Sequence, residues 1–142
     1  MKSKKNFVGK ILKTTDGSLQ GKTHIKKPRR VIVVYQRDDG CIGVCKVFGS
    51  ESLNDKRKGL RLKPTTQNGL TKKSLAEYRV YFGAKRKDGS YHAFSYENFT
   101  DSGSRVRPLD VFKIRIALLM KPSSRRIVKA WKRHFVRKTR VH

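Results

Sequence analysis

The sequence predicts a mainly β (α+β) fold: a small antiparallel, strongly bent sheet or barrel of five to seven strands, followed by C-terminal helices. Over the first hundred residues, short apolar runs alternate with tight turn signals, which is typical of small barrels and meanders. After residue 108 the pattern changes to longer apolar runs with helical spacing. The chain has 142 residues, of which 36% are hydrophobic and 9% aromatic. It can therefore bury one core, which excludes a fully disordered basic tail.

The strands of the first half follow from apolar runs bounded by turns. A first strand is predicted where four apolar residues recur near the N-terminus: Phe7, Val8, Ile11 and Leu12. The run VIVVY at 31–35 is β-branched and nearly continuous, which is typical of a strand buried on both faces. Asp39-Gly40 predicts a hairpin turn, and the returning strand is CIGVCKVF at 41–48. Alternation gives the returning strand two faces, with Cys41, Gly43, Cys45 and Val47 against Ile42, Val44, Lys46 and Phe48.

Three more short strands are predicted before the helices. Residues 49–59 have the composition of a loop, and Leu60 and Leu62 after it predict a short strand. The next strand is SLAEYRVYFG at 74–83, and a turn separates it from YHAFSYENF at 91–99. The strand count therefore reaches five or six within the first hundred residues.

Two helices are predicted at the C-terminus. Residues 110–120 are apolar enough for a helix, with Asp110 as its N-cap. Pro122 breaks this helix, and a second one continues to about residue 138. Three apolar residues recur on one face of the second helix: Ile127, Trp131 and Phe135. We accordingly divide the chain into a β-barrel-like domain with a packed helix, 1–122, and a basic C-terminal helix or tail, 123–142.

The charge of the chain predicts a polyanionic partner. Lys and Arg number 36 against 10 Asp and Glu, for a net charge of +26, and a phosphate backbone offsets such self-repulsion by releasing counterions. RNA or DNA is favoured over a membrane surface, because no long amphipathic helix carries bulky apolar anchors. The predicted nucleic-acid contacts are Lys22, Lys26, Lys27, Lys46, Arg125, Arg126, Lys129, Lys132, Arg133 and Arg137.

Several classes of protein lack their motifs in this sequence. There is no P-loop, dinucleotide-binding glycine pattern, nucleophile elbow or HExxH helix. The four histidines are scattered and none pairs with a cysteine at zinc-ligand spacing, so no metal and no cofactor are expected. Cys41 and Cys45 are too few for a disulfide framework and are expected as small core residues in a reducing cytoplasm. No apolar run approaches the roughly 18 residues that a membrane span needs.

Metal-free cleavage of RNA is compatible with this composition. The 2′-hydroxyl of the substrate acts as the nucleophile, so a protein needs only to move protons and to stabilise charge on the phosphorane. Arg, Lys, Ser, Thr and His side chains are sufficient for both tasks. A chain with few carboxylates and many arginines therefore fits this chemistry.

Three segments and their order resemble the MazF/PemK family of toxin endoribonucleases, which are small barrels with a packed terminal helix. Gly17-Ser18-Leu19-Gln20-Gly21-Lys22 is similar to the family's G-S-x-Q-G loop, and Pro28-Arg29-Arg30-Val31-Ile32-Val33-Val34 is similar to its arginine-led strand. Asn68-Gly69-Leu70-Thr71-Lys72-Lys73-Ser74 resembles the turn that precedes a later hydrophobic strand. The apolar helix near 111–120 lies where family members have theirs, so the resemblance spans roughly residues 6–120.

The resemblance implies roles for particular residues. Arg29 or Arg30 is similar to the arginine that acts at the scissile phosphate, and Ser50 or Ser52 corresponds to a hydroxyl that contacts the phosphate. Lys46 and His24 are further candidates for proton transfer. The resemblance also implies a homodimer and a neutralising antitoxin.

Two hypotheses of function remain open at this point. The first is a toxin-type, metal-independent endoribonuclease that acts on single-stranded RNA, which the order of the motifs favours. The second is a non-catalytic RNA- or DNA-binding protein on a similar small barrel, such as a ribosome-associated or mobile-element accessory protein. The net charge favours the second hypothesis, because an enzyme gains little from binding its product tightly. A DNA-binding regulator is a weaker third hypothesis, since no helix-turn-helix pairing is evident.

Overall fold

The computed structural model describes residues 5–22, 24–49 and 58–140, and the side chains of the last helix as far as residue 133. The elements in chain order are β1 (Lys10–Thr15), α1 (Asp16–Gln20), β2 (Pro28–Gln36), β3 (Ile42–Phe48), β4 (Gly59–Leu62), β5 (Ser74–Tyr81), β6 (Gly83–Lys85), β7 (Tyr91–Ala93), β8 (Thr100–Arg105), α2 (Pro108–Met120) and α3 (Pro122–Arg140). A single turn of 3-10 helix, Tyr96–Asn98, lies between β7 and β8. The mainly β, α+β class with C-terminal helices is confirmed.

Six strands form one antiparallel sheet in the order β4-β5-β3-β2-β1-β8, and β6 pairs with β7 in a separate two-stranded sheet. Register shifts interrupt the pairing of β1 with β8, of β2 with β3 and of β3 with β5, and such bulges increase the local twist of a sheet. The edge strands β4 and β8 do not pair with each other, so the sheet is not closed into a barrel and the barrel alternative is wrong. The segment that follows β4 contacts the opposite edge strand, β8, where the Arg105 amide donates to the Gln67 carbonyl at 3.0 Å.

Both faces of the sheet are covered, which confirms the interpretation of the VIVVY run. On one face, Ile32 and Val34 of β2 pack in a core with α2 and α3. On the other face, Val31 and Val33 pack in a second core with α1, the β6–β7 hairpin and Phe94. The hairpin predicted at Asp39-Gly40 and the alternation along β3 are also confirmed, because Cys45 and Val47 belong to the first core while Ile42 and Val44 belong to the second.

Three local predictions differ from the structure. Asp16–Gln20, which looks like a turn in the sequence, forms a helix capped by the Thr15 side chain, which accepts from the Ser18 amide at 3.1 Å. The segment 91–99 is not one strand, because β7 ends at Ala93 and a 3-10 turn follows. Strand β8 has the polar sequence TDSGSR and is held at the sheet edge by pairing with β1 rather than by an apolar pattern.

The C-terminal helices break at Pro122 as predicted, but their caps and inner faces differ. Helix α2 begins at Pro108, and Asp110 is its third residue rather than its N-cap, with a carboxylate that accepts from the Arg107 amide at 3.3 Å. In α3 the inward residue is Val128, 1% exposed, whereas Ile127 is 52% exposed. Trp131 is half-buried against the first core, and the Phe135 side chain lies outside the described residues. Within the described part of the chain, no helix is long and apolar enough to cross a membrane.

Candidate nucleic-acid interface

The candidate site is built around Asp16, where α1 starts directly after β1. Residue pairing places Thr14 of β1 opposite Arg29 of β2, so the Arg29 side chain leaves the sheet on the face that α1 covers. Arg29 Nε donates to Asp16 Oδ1 at 3.0 Å, and Arg29 Nη2 donates to Asp16 Oδ2 at 2.9 Å. This two-bond geometry is the strong form of an arginine–carboxylate pair.

A second cation and two aromatic rings complete this group. Lys46 Nζ lies 3.4 Å from Asp16 Oδ1. The Arg29 guanidinium lies 4.4 Å from the centre of the Phe48 ring, and Lys46 Nζ lies 5.2 Å from that of Tyr81. The three charged side chains are only 10–11% exposed. We call these five residues the Asp16 cluster: Asp16, Arg29, Lys46, Phe48 and Tyr81.

The electrostatics of the Asp16 cluster suit anion binding better than proton transfer. The hydrogen bonds from Arg29 hold the pKa of Asp16 below its ordinary value, and burial opposes this shift only in part. A carboxylate with a lowered pKa is a poor general base at neutral pH. Burial raises the pKa of Tyr81, so its hydroxyl stays protonated. Two cations against one anion leave the cluster with a net charge of +1, and its charged groups are held in fixed positions.

A groove of about 570 Å³ opens beside the Asp16 cluster, at the end of the sheet where β1 and β3 finish and β2 starts. Among the described residues, its lining has five cations, three hydroxyl side chains and no carboxylate: Lys13, Lys27, Arg29, Arg30 and Lys72, with Thr14, Thr71 and Ser74. Lys13 and Arg30 are partners across β1 and β2, so their side chains leave the same face of the sheet side by side. Like charges in such a position repel each other, and a bound phosphate would relieve that repulsion. We call this feature the Arg30 groove.

The structure brings some of the predicted site residues together and separates others. Arg29, Arg30 and Lys27 line the Arg30 groove, while Lys46 is buried beside it in the ion pair with Asp16. His24 and Lys26 are exposed in the loop between α1 and β2, outside the groove lining. Lys22 lines a neighbouring cavity instead. Ser50 and Ser52 lie outside the described residues.

The predicted contacts on α3 form a separate surface. Their described side chains are exposed on a helix that packs against the sheet face opposite the Asp16 cluster: Arg125, Arg126, Lys129, Lys132 and Arg133. The Arg137 side chain lies outside the described residues. Lys13 and Arg30 leave the sheet on the same face as Ile11 and Ile32 of the first core, so α3 lies on the same side of the sheet as these two groove cations.

Sequence reasoning missed several members of the site. Asp16 is absent from the predicted site residues, although a carboxylate is scarce in a chain with 36 cations and only 10 acids. That scarcity was the available signal, because each acid in such a chain has many cations to pair with. Lys13, Lys72 and Thr71 join the groove only through the fold, since they come from β1 and from the turn before β5.

Comparison with known proteins adds no relative: no protein-family model, curated protein or solved structure matches this chain. The resemblance to the MazF/PemK family thus remains a prediction from short motifs. Among the described residues, no three His, Cys, Asp or Glu side chains are grouped closely enough to hold a metal ion.

Proposed function

We propose that the protein binds single-stranded RNA, with phosphates of the strand in the Arg30 groove. The observation that carries this proposal is the convergence of five cations and three hydroxyl groups on a groove whose lining, in the part of the chain that the structure describes, contains no carboxylate. Arginine and lysine neutralise backbone phosphates, and threonine and serine hydroxyls add hydrogen bonds that position them. The groove of about 570 Å³ is sized for one or two nucleotides of a single strand rather than for the side of a duplex.

The salt dependence of binding tests this proposal. Affinity for a labelled single-stranded RNA should fall linearly on a logarithmic scale as salt rises, with a slope close to the number of phosphates neutralised. The double variant Lys13→Ala/Arg30→Ala should weaken binding about tenfold and reduce the slope by about two. An equal loss in the control Lys113→Ala/Lys121→Ala, which removes two exposed cations that do not line the groove, would show that only net charge matters.

We further propose that the bound RNA is cleaved without a metal, as the resemblance to the MazF/PemK toxins suggests. The observation that favours this second function is the rigid Arg29 guanidinium at the edge of the Arg30 groove, fixed by two hydrogen bonds to Asp16. A pre-positioned cation beside the scissile phosphate stabilises charge that develops in the transition state. Of the two sequence candidates for proton transfer, Lys46 is paired with Asp16, so His24 is the candidate outside the Asp16 cluster.

Cleavage is tested on unstructured RNA in excess EDTA, with 2′,3′-cyclic phosphate ends as the readout. Arg29→Lys keeps a cation but loses the two-bond geometry, and Arg30→Ala removes the exposed neighbour. Both variants should lose cleavage by far more than they lose binding, since the interaction counts mainly in the transition state. Absence of cleavage by wild-type protein at micromolar concentration would eliminate the nuclease and leave a basic RNA-binding protein.

The resemblance to these toxins also suggests which partners the protein has in the cell. A homodimer and a neutralising antitoxin are the corresponding partners of this chain. Induced expression should then arrest bacterial growth, and Arg29→Ala together with Arg30→Ala should relieve the arrest. Growth at the wild-type rate with soluble protein present would argue for the non-catalytic alternative.

A further inference from the structure

A second cavity lies next to the Arg30 groove, and Thr14 lines both of them. This cavity has a volume of about 540 Å³, within the range of small-molecule sites. Its walls come from α1 and the turn after it, the β6–β7 hairpin, and the segment around the 3-10 turn. The groove meets the cavity at Thr14, which with its partner Arg29 leaves the sheet on the face that α1 covers, so the two features adjoin at the end of β1.

The lining of the cavity divides into an aromatic wall and a cationic rim. Phe94 is buried and Phe99 is half-buried, and their rings meet edge to face with centres 5.4 Å apart. Three exposed cations stand among the described lining residues, Lys22, Arg86 and Lys87, and none of those lining residues carries a carboxylate. An aromatic ring that carries phosphate is the ligand chemistry that such a lining recognises.

Asn98 adds a polar group of defined direction to this lining. Its Oδ1 accepts hydrogen bonds from the Ser95 amide at 2.8 Å and from Ser95 Oγ at 3.3 Å. Because an amide N–H can only donate, the oxygen of Asn98 must face Ser95 and its Nδ2 must point elsewhere. Asn98 lines the cavity, and an Nδ2 that points away from Ser95 is a donor of the kind that the ring nitrogens and carbonyl oxygens at the edges of nucleobases accept.

We propose that this cavity is a nucleobase subsite for the RNA strand whose phosphates occupy the Arg30 groove. The inference rests on the proposed RNA binding and deepens it, because it adds recognition of a base to recognition of the backbone. Phe94 and Phe99 supply the apolar contact, Asn98 Nδ2 supplies a hydrogen bond, and the rim cations hold the adjoining phosphates.

The experiment compares two probes of equal charge: a fluorescein-labelled single-stranded RNA of ten nucleotides, and the same sugar-phosphate chain without bases. Anisotropy titrations over a range of salt give an affinity and a salt slope for each. We expect the RNA to bind about tenfold more tightly than the abasic chain, with the same slope. Equal affinities with a steep slope would overturn the subsite and leave backbone binding intact. No binding of either probe would overturn both proposals.

Protein variants locate the base-dependent part of the affinity. Phe99→Leu removes the ring and keeps an apolar side chain, and Asn98→Asp keeps the oxygen that accepts from Ser95 while losing the donor. Each should reduce the ratio of the two affinities by at least threefold; Phe99→Leu should leave the slope for the abasic chain unchanged, whereas the charge added by Asn98→Asp should weaken both probes alike in addition to its effect on the ratio. Phe112→Leu, at a 57% exposed phenylalanine on α2, is the matched control and should leave the ratio unchanged. A ratio that Phe99→Leu and Asn98→Asp both leave intact in folded protein would place the base elsewhere. Displacement of the RNA by free mononucleotide at micromolar concentration would instead assign the cavity to a small ligand.

Discussion

Replacing Asp16 by Asn should destabilise the protein by about 3 kcal/mol, because it leaves two cations facing each other. Asp16 accepts two hydrogen bonds from Arg29, at 3.0 and 2.9 Å, and lies 3.4 Å from Lys46 Nζ. A hydrogen bond to a charged group contributes about 1.5–3 kcal/mol, and breaking a fully buried ion pair costs about 3–5 kcal/mol. The pair is about 11% exposed, which places the expected cost at the lower end of that range. For a domain of this size the loss corresponds to a fall in Tm of about 10 °C.

Thermal and urea unfolding followed by circular dichroism measure this effect. Glu97→Gln is the matched control, since it removes one exposed negative charge and should change the free energy of unfolding by less than about 0.5 kcal/mol. Adding Arg29→Gln to Asp16→Asn should recover about 1 kcal/mol, because it removes a cation that has lost its partner. If Asp16→Asn behaves like Glu97→Gln, the Asp16 cluster is not an energetic unit and the reasoning fails.

The stabilisation that Asp16 and Arg29 confer depends on pH, and the direction of the pKa shift of Asp16 determines the sign of that dependence. The pKa of Asp16 is lowered from 3.8 in the folded protein by its hydrogen bonds to Arg29, so the folded state binds fewer protons than the unfolded state. The stabilisation is therefore complete above about pH 4 and is lost as the pH falls through the folded-state pKa. The difference in stability between wild type and Asp16→Asn should shrink in acid, and a constant difference from pH 7 to pH 2 would contradict the assignment.

Three further predictions concern other parts of the molecule. Val128→Ala should lower the free energy of unfolding in urea by about 2 kcal/mol, because Val128 is 1% exposed. Ile127→Ala, at a 52% exposed position, should change it by less than about 0.5 kcal/mol. Equal effects of the two variants would refute the inner face assigned to α3. Burial raises the pKa of the Cys45 thiol, whereas Cys41 is partly exposed. Iodoacetamide should therefore label Cys41 first in native protein at pH 8, as peptide masses would show. Early labelling of Cys45 would contradict its burial. A hydrogen bond from Lys10 lowers the pKa of Asp101 to about 2. The stability that Asp101 confers should therefore persist above pH 4 and disappear between pH 4 and 2. A comparison of the free energies of unfolding of wild type and Asp101→Asn over this pH range tests this expectation.

The strands whose apolar pattern is dictated by burial could be predicted from the sequence, and those held by pairing alone could not. β2 is buried on both faces, so its β-branched run appears directly in the sequence. β8 has no large apolar residue, because it is an edge strand fixed by hydrogen bonds to β1. Whether the sheet closes into a barrel could not be predicted from the sequence either, because it depends on how the bulged strands twist relative to one another.

The candidate site was predictable where residues are close in sequence and unpredictable where the fold brings distant ones together. Arg29 and Arg30 lead a recognisable strand, so their position at its start followed from the motif. The partner of Arg29 did not, because Asp16 meets it only through the pairing of β1 with β2 and the capped helix between them. Lys46 illustrates a second limit: a lysine in a strand is normally solvated, and only the carboxylate of Asp16 explains its burial.

Helix α3 is attached to the β2–β3 hairpin by a cation rather than by an acid. Arg37 Nη1 donates to the Trp131 carbonyl oxygen at 2.7 Å, and its guanidinium lies 4.7 Å from the centre of the Trp131 ring, while Nε and Nη2 pair with Asp39. Dissolved salt screens such short, largely buried contacts far less than it screens exposed contacts to phosphates. If the protein binds nucleic acid as proposed, a wash with about 1 M NaCl should therefore release that nucleic acid while α3 stays in place. Native protein free of nucleic acid should then be obtained without a cycle of denaturation and refolding.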